Sequence, residues 1–200
     1  MARQIAKDYD EKRRLILNKA AQLFADDGFD RTSVSNIASA CGISKANIYH
    51  YYTSKDQILF DILDTYLKQL RDRICHQELT HGDAVGNLKR TVIEILMAYQ
   101  GSDNEHRLQA GRISHLSKDQ RHVLIGYQRD LVTYMSARLS EVAPEVFTEN
   151  SKKLRPATMS IFGMLNWFYM WSPGADQKQR MNYAEVVCSI ALDGLAGLKE

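Results

Sequence analysis

Lys45, Asn47, Tyr49, His50 and Lys55 all fall within SKANIYHYYTSKDQ, the stretch from Ser44 to Gln57. Their side chains suit recognition of a nucleic acid better than bond making. A carboxamide such as Asn47 forms paired hydrogen bonds with an adenine edge, and the Lys45 ammonium reaches a guanine or a phosphate oxygen. Tyr49 and His50 donate to phosphate oxygens, and their rings lie against sugars or a thymine methyl. Elsewhere the chain has no nucleophile–base motif and no glycine-rich phosphate loop. Cys75 and His76, with His81 nearby, lack the second pair that a metal site requires. A helical enzyme is therefore the least favoured reading, and neither a metal nor a cofactor is expected.

Such side chains reach DNA only if a short helix holds them outward. Ile37, Cys41, Ile43, Ile48 and Tyr51 occupy the offsets at which two short helices, Val34 to Cys41 and Lys45 to Tyr51, must touch. Ala38 is small where they cross, and Gly42 supplies the turn, where a positive φ costs least without a Cβ. Ser44 caps the second helix through its hydroxyl. Together these features predict a helix-turn-helix. With Lys45–Tyr51 in a major groove, Ile48 points inward, and Ser44, Lys45, Ala46, Asn47, Tyr49 and His50 are the candidates to face DNA. Tyr51 and Tyr52 are better read as packing residues with a polar tip. Lys55, in the first turn of the next helix, is a candidate phosphate clamp beside free amides. Thr32 or Ser33, at the start of the preceding helix, is placed for the same duty.

The rest of the pattern is helical too. A first helix runs from about Tyr9 to Asp27, with Ile16, Ala20, Leu23 and Phe24 on one stripe and Gly28 as its C-terminal cap. Ser54 to Gln57 reads as a capping box opening a helix to about Ile74. Asp83 to Tyr99 turns Val85, Leu88, Val92, Ile95, Leu96 and Tyr99 inward. A shorter helix lies in EHRLQAGRISHL, and a second capping box, Ser117 to Gln120, opens a helix to about Val142. APEVFTENSKKLRP connects to the apolar ATMSIFGMLNWFYMW, which SPG ends. The last helix, Gln177 to about Leu198, carries Val186, Val187, Ile190, Ala191, Leu195 and Leu198. The fold class is all-α: a three-helix DNA-binding domain over residues 8–55, then a six-helix ligand-binding and dimerisation domain over residues 56–200. The last two helices have apolar faces too broad for one partner, which suits a four-helix bundle across a two-fold axis.

Charge agrees in direction. Residues 1–55 carry nine Lys/Arg against six Asp/Glu, whereas the remainder carries seventeen against eighteen. The three cysteines are scattered, which fits reduced thiols. The N-terminus lacks the apolar core of a signal peptide, and no apolar run approaches the ~20 residues of a membrane span. A cytoplasmic protein without a membrane partner is expected.

The run ILNKAAQLFADDGFDRTSVSNIASACGISKANIYHYYTSKDQIL, Ile16 to Leu59, resembles the N-terminal domain of TetR-family transcriptional regulators. The resemblance rests on Phe-Ala, Gly-Phe, Thr-Ser-Val, Ile-Ala, Gly-Ile-Ser and Tyr-His-Tyr before Ser-Lys-Asp, with Cys41 where alanine is more usual. It implies a homodimer with two recognition helices in successive major grooves of a near-palindromic double-stranded operator, and a second domain that binds a small effector. That effector would alter the spacing of the two heads, and repression relieved by it is the mechanism expected. GMLNWFYMWSPGADQ and HLSKDQRHVLIGYQRDLVTYM resemble segments of a subgroup associated with fatty-acid, steroid and other acyl-CoA catabolism, which implies a CoA thioester. Met164, Trp167, Met170 and Tyr99 are compatible with an apolar slot for it, and Arg112, His115 and Arg129 with its phosphates. Asn166 stands in an apolar stretch, where its amide must find a partner. The alternatives are a DNA-binding regulator that answers to a partner protein or needs no effector.

Overall fold

The computed structural model describes residues 2–148 and 151–197, with the side chains of 2–7, 195 and 196 left aside. Among these residues every regular element is helical. In chain order they are α1 (Ala2–Leu23), α2 (Val34–Ala40), α3 (Lys45–Tyr49), α4 (Lys55–Cys75), α5 (Ala84–Ala98), α6 (Asp103–Arg112), α7 (Lys118–Val142), α8 (Leu154–Trp171) and α9 (Gln177–Ala196). The chain forms two compact units, Met1–Tyr66 with Asn104–Leu124, and Leu67–Asp103 with Ile125–Glu200.

In the first unit, Ile16 and Ala20 of α1 and Phe24 just past its end, spaced four apart, are buried, while Leu23, predicted on the same stripe, is half-buried. The helix begins earlier than the sequence suggests, at Ala2, and widens into a π-turn over Phe24–Gly28. Gly28 at φ 90° then reverses the chain, and Phe29 packs edge-to-face on Phe24 with centroids 4.9 Å apart. Helix α2 packs on α1 and α3, burying Ile37 and Ala38 against the wholly buried Ile48. Gly42, at φ 66°, makes the turn between α2 and α3.

The capping chemistry is mostly as expected, with one shift. Ser54 Oγ accepts from the Gln57 amide at 3.1 Å. Gln57 Oε1, however, takes the amide and hydroxyl of Thr53, both at 2.9 Å, so the return arm of the box lands one residue early. Ser117 and Gln120 form the full reciprocal box.

In the second unit α5 packs along α9, and α8 touches both. Leu88, Val92, Ile95 and Leu96 meet a core that includes Leu139, Ile161, Leu165, Phe168, Ala184 and Val187. Val85, expected inside, is 41 % exposed in the first turn of α5. Helix α8 starts at Leu154, so Leu154-Arg155-Pro156 belongs to it and not to the connection. A proline within the first turn removes an N–H that has no intrahelical partner there. Arg180 is 1 % exposed, its guanidinium donating to the carbonyls of Ala175 at 3.0 Å and Leu96 at 3.2 Å. Of the apolar residues read on the last helix, Leu195 and Leu198 lie outside the described side chains.

Candidate nucleic-acid interface

Helix α3 is only five residues long, so its direction depends on what fixes its two ends. Ser44 caps it, its Oγ accepting from the Asn47 amide at 3.1 Å, which leaves the hydroxyl hydrogen for an outside acceptor. Ile48 is the buried pin. Around it, Lys45, Ala46, Tyr49 and His50 are exposed and Asn47 is half-buried, so the predicted recognition residues share the outward surface of one helix. Lys45 Nζ lies 6.0 Å from the centre of the Tyr49 ring, one turn on.

Behind the recognition helix stands a polar joint. Tyr52 is buried, and its hydroxyl donates to Asp61 Oδ2 at 2.6 Å. Arg13 grips the same carboxylate with two nitrogens, Nε to Oδ2 at 3.1 Å and Nη2 to Oδ1 at 2.6 Å. One carboxylate of α4 thus ties α1 to the segment that leaves α3. Burial, reinforced by the Asp61 hydrogen bond, pushes the Tyr52 phenol well above its ordinary pKa. Tyr51 stacks on Tyr9 of α1 with centroids 4.7 Å apart. Both tyrosines are packing residues, as read from the sequence.

Two predicted phosphate contacts are corrected. Thr32 is 3 % exposed, and its hydroxyl donates to the carbonyls of Gly28 at 2.9 Å and Leu23 at 3.3 Å. It closes the carbonyls left open where α1 ends and does not face solvent. Lys55 Nζ donates to the carbonyls of Phe29 at 2.6 Å and Thr32 at 3.0 Å, and sits 4.3 Å from the Phe29 ring centre. It is an internal strut, so the amides of the first α4 turn are what that end offers to a phosphate. Ser33 stays exposed at the N-terminus of α2, in a reciprocal cap with Asn36. Neither the Asp61 joint nor the Lys55 strut was foreseen, because in both the partner is distant in sequence. The one local signal was Thr32, four residues beyond Gly28.

The predicted effector residues are divided between the two units. Asn166 and Tyr99 do meet, the phenol donating to Oδ1 at 2.7 Å, so the amide's partner is a side chain of its own unit. Met164 is half-buried. Trp167 and Met170 are 61 % and 52 % exposed, because α8 turns Ile161, Leu165 and Phe168 inward and those two outward. Arg129 is exposed on α7. Arg112 and His115 belong to the first unit, where Arg112 meets Asp30 at 3.1 Å and His115 is exposed. A cavity of about 400 Å³ opens in the second unit, walled by Leu139, Ala157, Ile161, Met164, Ile190 and Ala191, with Lys152 and Lys153 beside it. Of the predicted set only Met164 lines it. Among the described residues no group of three or more His, Cys, Asp or Glu is placed to hold a metal, and no helix is long and apolar enough to cross a membrane.

Comparison with known proteins agrees with this architecture. A family model described as bacterial regulatory proteins, tetR family, matches residues 16–62. A second, described as tetracyclin repressor-like, C-terminal domain, matches residues 81–195. The chain belongs to the TetR family. A TetR-family transcriptional regulator from Bordetella parapertussis is 33 % identical, with a TM-score of 0.83 over 94 % of this chain and 97 % of that one. AibR, solved with isovaleryl coenzyme A and operator DNA, shares the fold at a TM-score of 0.75 and 21 % identity, over 90 % of this chain and 97 % of its own. Among curated relatives, the transcriptional repressor KstR2 of Rhodococcus jostii is 31 % identical over 115 residues, 55 % of this chain and 54 % of its own. The regulator YuxN of Bacillus subtilis is 37 % identical over 86 residues, 43 % of this chain and 29 % of its own. The chain thus spans about half or less of these two curated relatives. Both are HTH-type transcriptional regulators.

Proposed function

We propose that this TetR-family chain is a homodimeric repressor that binds a near-palindromic operator in the cytoplasm and leaves it when a CoA thioester binds the second unit. The observation that carries the DNA-binding part is the surface of α3, where Lys45, Asn47, Tyr49 and His50 stand outward around a wholly buried Ile48. A helix presenting a carboxamide, an ammonium and ring donors on one side fits a major groove, with Ser33 and the α4 amides reaching the flanking phosphates.

Dimerisation is supported by the outward faces of α8 and α9. Met159, Trp167, Met170, Val186 and Ile190 are each between 45 % and 61 % exposed, on two helices that already pack together. Paired across a two-fold axis, they would make a four-helix bundle and carry two copies of α3. The thioester class is supported by the ligand in the AibR structure and by the cavity beside Lys152 and Lys153, whose apolar wall and cationic edge suit an acyl chain with a phosphorylated head. Repression is supported by KstR2, a named repressor. An effector that prefers one conformation of the protein can change operator affinity only by its differential affinity for the two.

The test is binding of the purified protein to DNA from beside its own gene, at two salt concentrations, with and without a mixture of acyl-CoA thioesters. Tight selective binding released by the mixture is expected. Selective binding that ignores the mixture would discard the ligand class, and no selective binding in any condition would discard the operator-binding reading.

A further inference from the structure

We infer that Arg107 and Arg112 are positioning residues for DNA binding, through which α6 holds the segment leading into the helix-turn-helix. The Arg107 guanidinium donates to the Ala25 carbonyl at 3.0 Å and meets the Asp26 carboxylate at 3.4 Å. Further along the same helix, Arg112 meets Asp30 at 3.1 Å. Two arginines of one helix therefore straddle the stretch from Ala25 to Asp30, which contains the left-handed Gly28. The same stretch is held from α4, where Lys55 donates to the carbonyls of Phe29 and Thr32.

Helix α6 is itself anchored. His106, 4 % exposed, shares a 2.9 Å hydrogen bond with the Tyr66 hydroxyl of α4. The buried residues of α6 are His106 and Leu108 alone, so it lacks the broad apolar stripe of a core helix. Its contacts with Ala25, Asp26 and Asp30 are polar, and they fall on the turn that aims α2 and α3. None of these groups belongs to the surface assigned to DNA. They act through the residues they hold. A head fixed in one arrangement presents α3 all of the time. A loosened head is competent for a fraction of the time, and apparent affinity falls by that fraction.

This inference rests on the operator-binding reading above, and the experiment separates the two. Full-length protein is titrated against the promoter DNA that the wild type selects. The variants are Arg107→Glu, Asp26→Arg and the pair together, then Arg112→Glu, Asp30→Arg and that pair together. Exposed ion pairs contribute modestly, so each arginine reversal is expected to lower selective affinity about five-fold. Helix content and oligomeric state should be unchanged. The exchanged pair at 112 and 30 is expected to recover most of its loss, since opposite charges face each other again in reversed order, and the pair at 107 and 26 only part, because a carboxylate at 107 cannot donate to the Ala25 carbonyl. Loss of an arginine stem from ordinary packing would not be recovered by a new charge across the contact. Single variants that bind like wild type would overturn the inference, as would exchanged pairs no better than the product of their single effects. A wild-type protein that selects no DNA would remove the operator-binding reading first and this inference with it.

Discussion

At the scale of residues, what separates a DNA contact from a structural group is where its polar atoms are already committed. Lys45 and Lys55 are both lysines of the recognition segment, yet only Lys45 keeps its ammonium outside. Lys45→Ala is expected to weaken all DNA sequences alike and to lower the salt slope of binding by about one. Lys55→Met should act differently. It leaves the Phe29 and Thr32 carbonyls without their donor, and is expected to cost about 1–3 kcal/mol of stability in denaturant titration. A Lys55→Met protein as stable as wild type, with only its salt slope reduced, would return Lys55 to the phosphate surface. This distinction was not legible in the sequence, because the carbonyls that Lys55 holds lie more than twenty residues before it. The outward set on α3 was legible, since Ile48 alone sets which side of so short a helix is buried. Tyr52 and Tyr99 give a pH signature. Both phenols are pushed above their ordinary value of 10 by burial, Tyr52 with help from Asp61. The folded chain keeps them neutral where the unfolded chain ionises, so their contribution is complete below about pH 10 and is lost as pH rises beyond it. Unfolding free energy should therefore fall above about pH 10. The fall should be shallower in Tyr52→Phe and Tyr99→Phe, and an equal slope in all three proteins would remove both phenols from the account.

At the scale of elements, the turn between α2 and α3 carries the aim of the interface. Gly42 sits at φ 66°, and a Cβ added there would meet nothing within 4 Å. A methyl group would therefore be opposed by backbone conformation alone. Gly42→Ala is expected to cost about 1–2 kcal/mol in unfolding free energy, with a further loss of operator affinity as α3 relaxes out of register. No change in stability would mean that the turn tolerates a side chain and does not fix α3. The elements themselves were readable wherever a stripe of apolar residues or a cap marked them: Ile16 and Ala20 on α1, or Ser117 and Gln120 before α7. Reading failed where a helix lacks those marks. Pro156 looked like the end of a connection because a proline breaks a helix interior, yet in the first turn it breaks nothing. The apolar face of α8 misled in another way. Its composition says that Trp167 and Met170 want to be covered, and it does not say whether by a ligand, the core or another chain.

At the scale of the whole molecule, that uncovered surface is what a dimer would settle. Met159, Trp167 and Met170 on α8, with Val186 and Ile190 on α9, are large apolar side chains left exposed in a single copy. Scattered surface apolar residues need no explanation, but five such side chains on two helices that pack together call for one. Burying them against a second copy would return roughly 25 cal/mol for each Å² removed from water, which a charge placed at the centre would forfeit. Ile190→Glu is expected to convert the dimer to a monomer in sedimentation at micromolar concentration, with the helical signal retained because the substituted side chain faces outward. Operator affinity should then fall far more than for any single contact on α3. A monomer engages one half-site at a time, and the second binding event is no longer intramolecular. If Ile190→Glu remained dimeric, the α8 and α9 faces would be released from that role. If it became monomeric and still bound the full operator as the wild type does, the two-headed mode of binding would be lost while the assignment of α3 would stand.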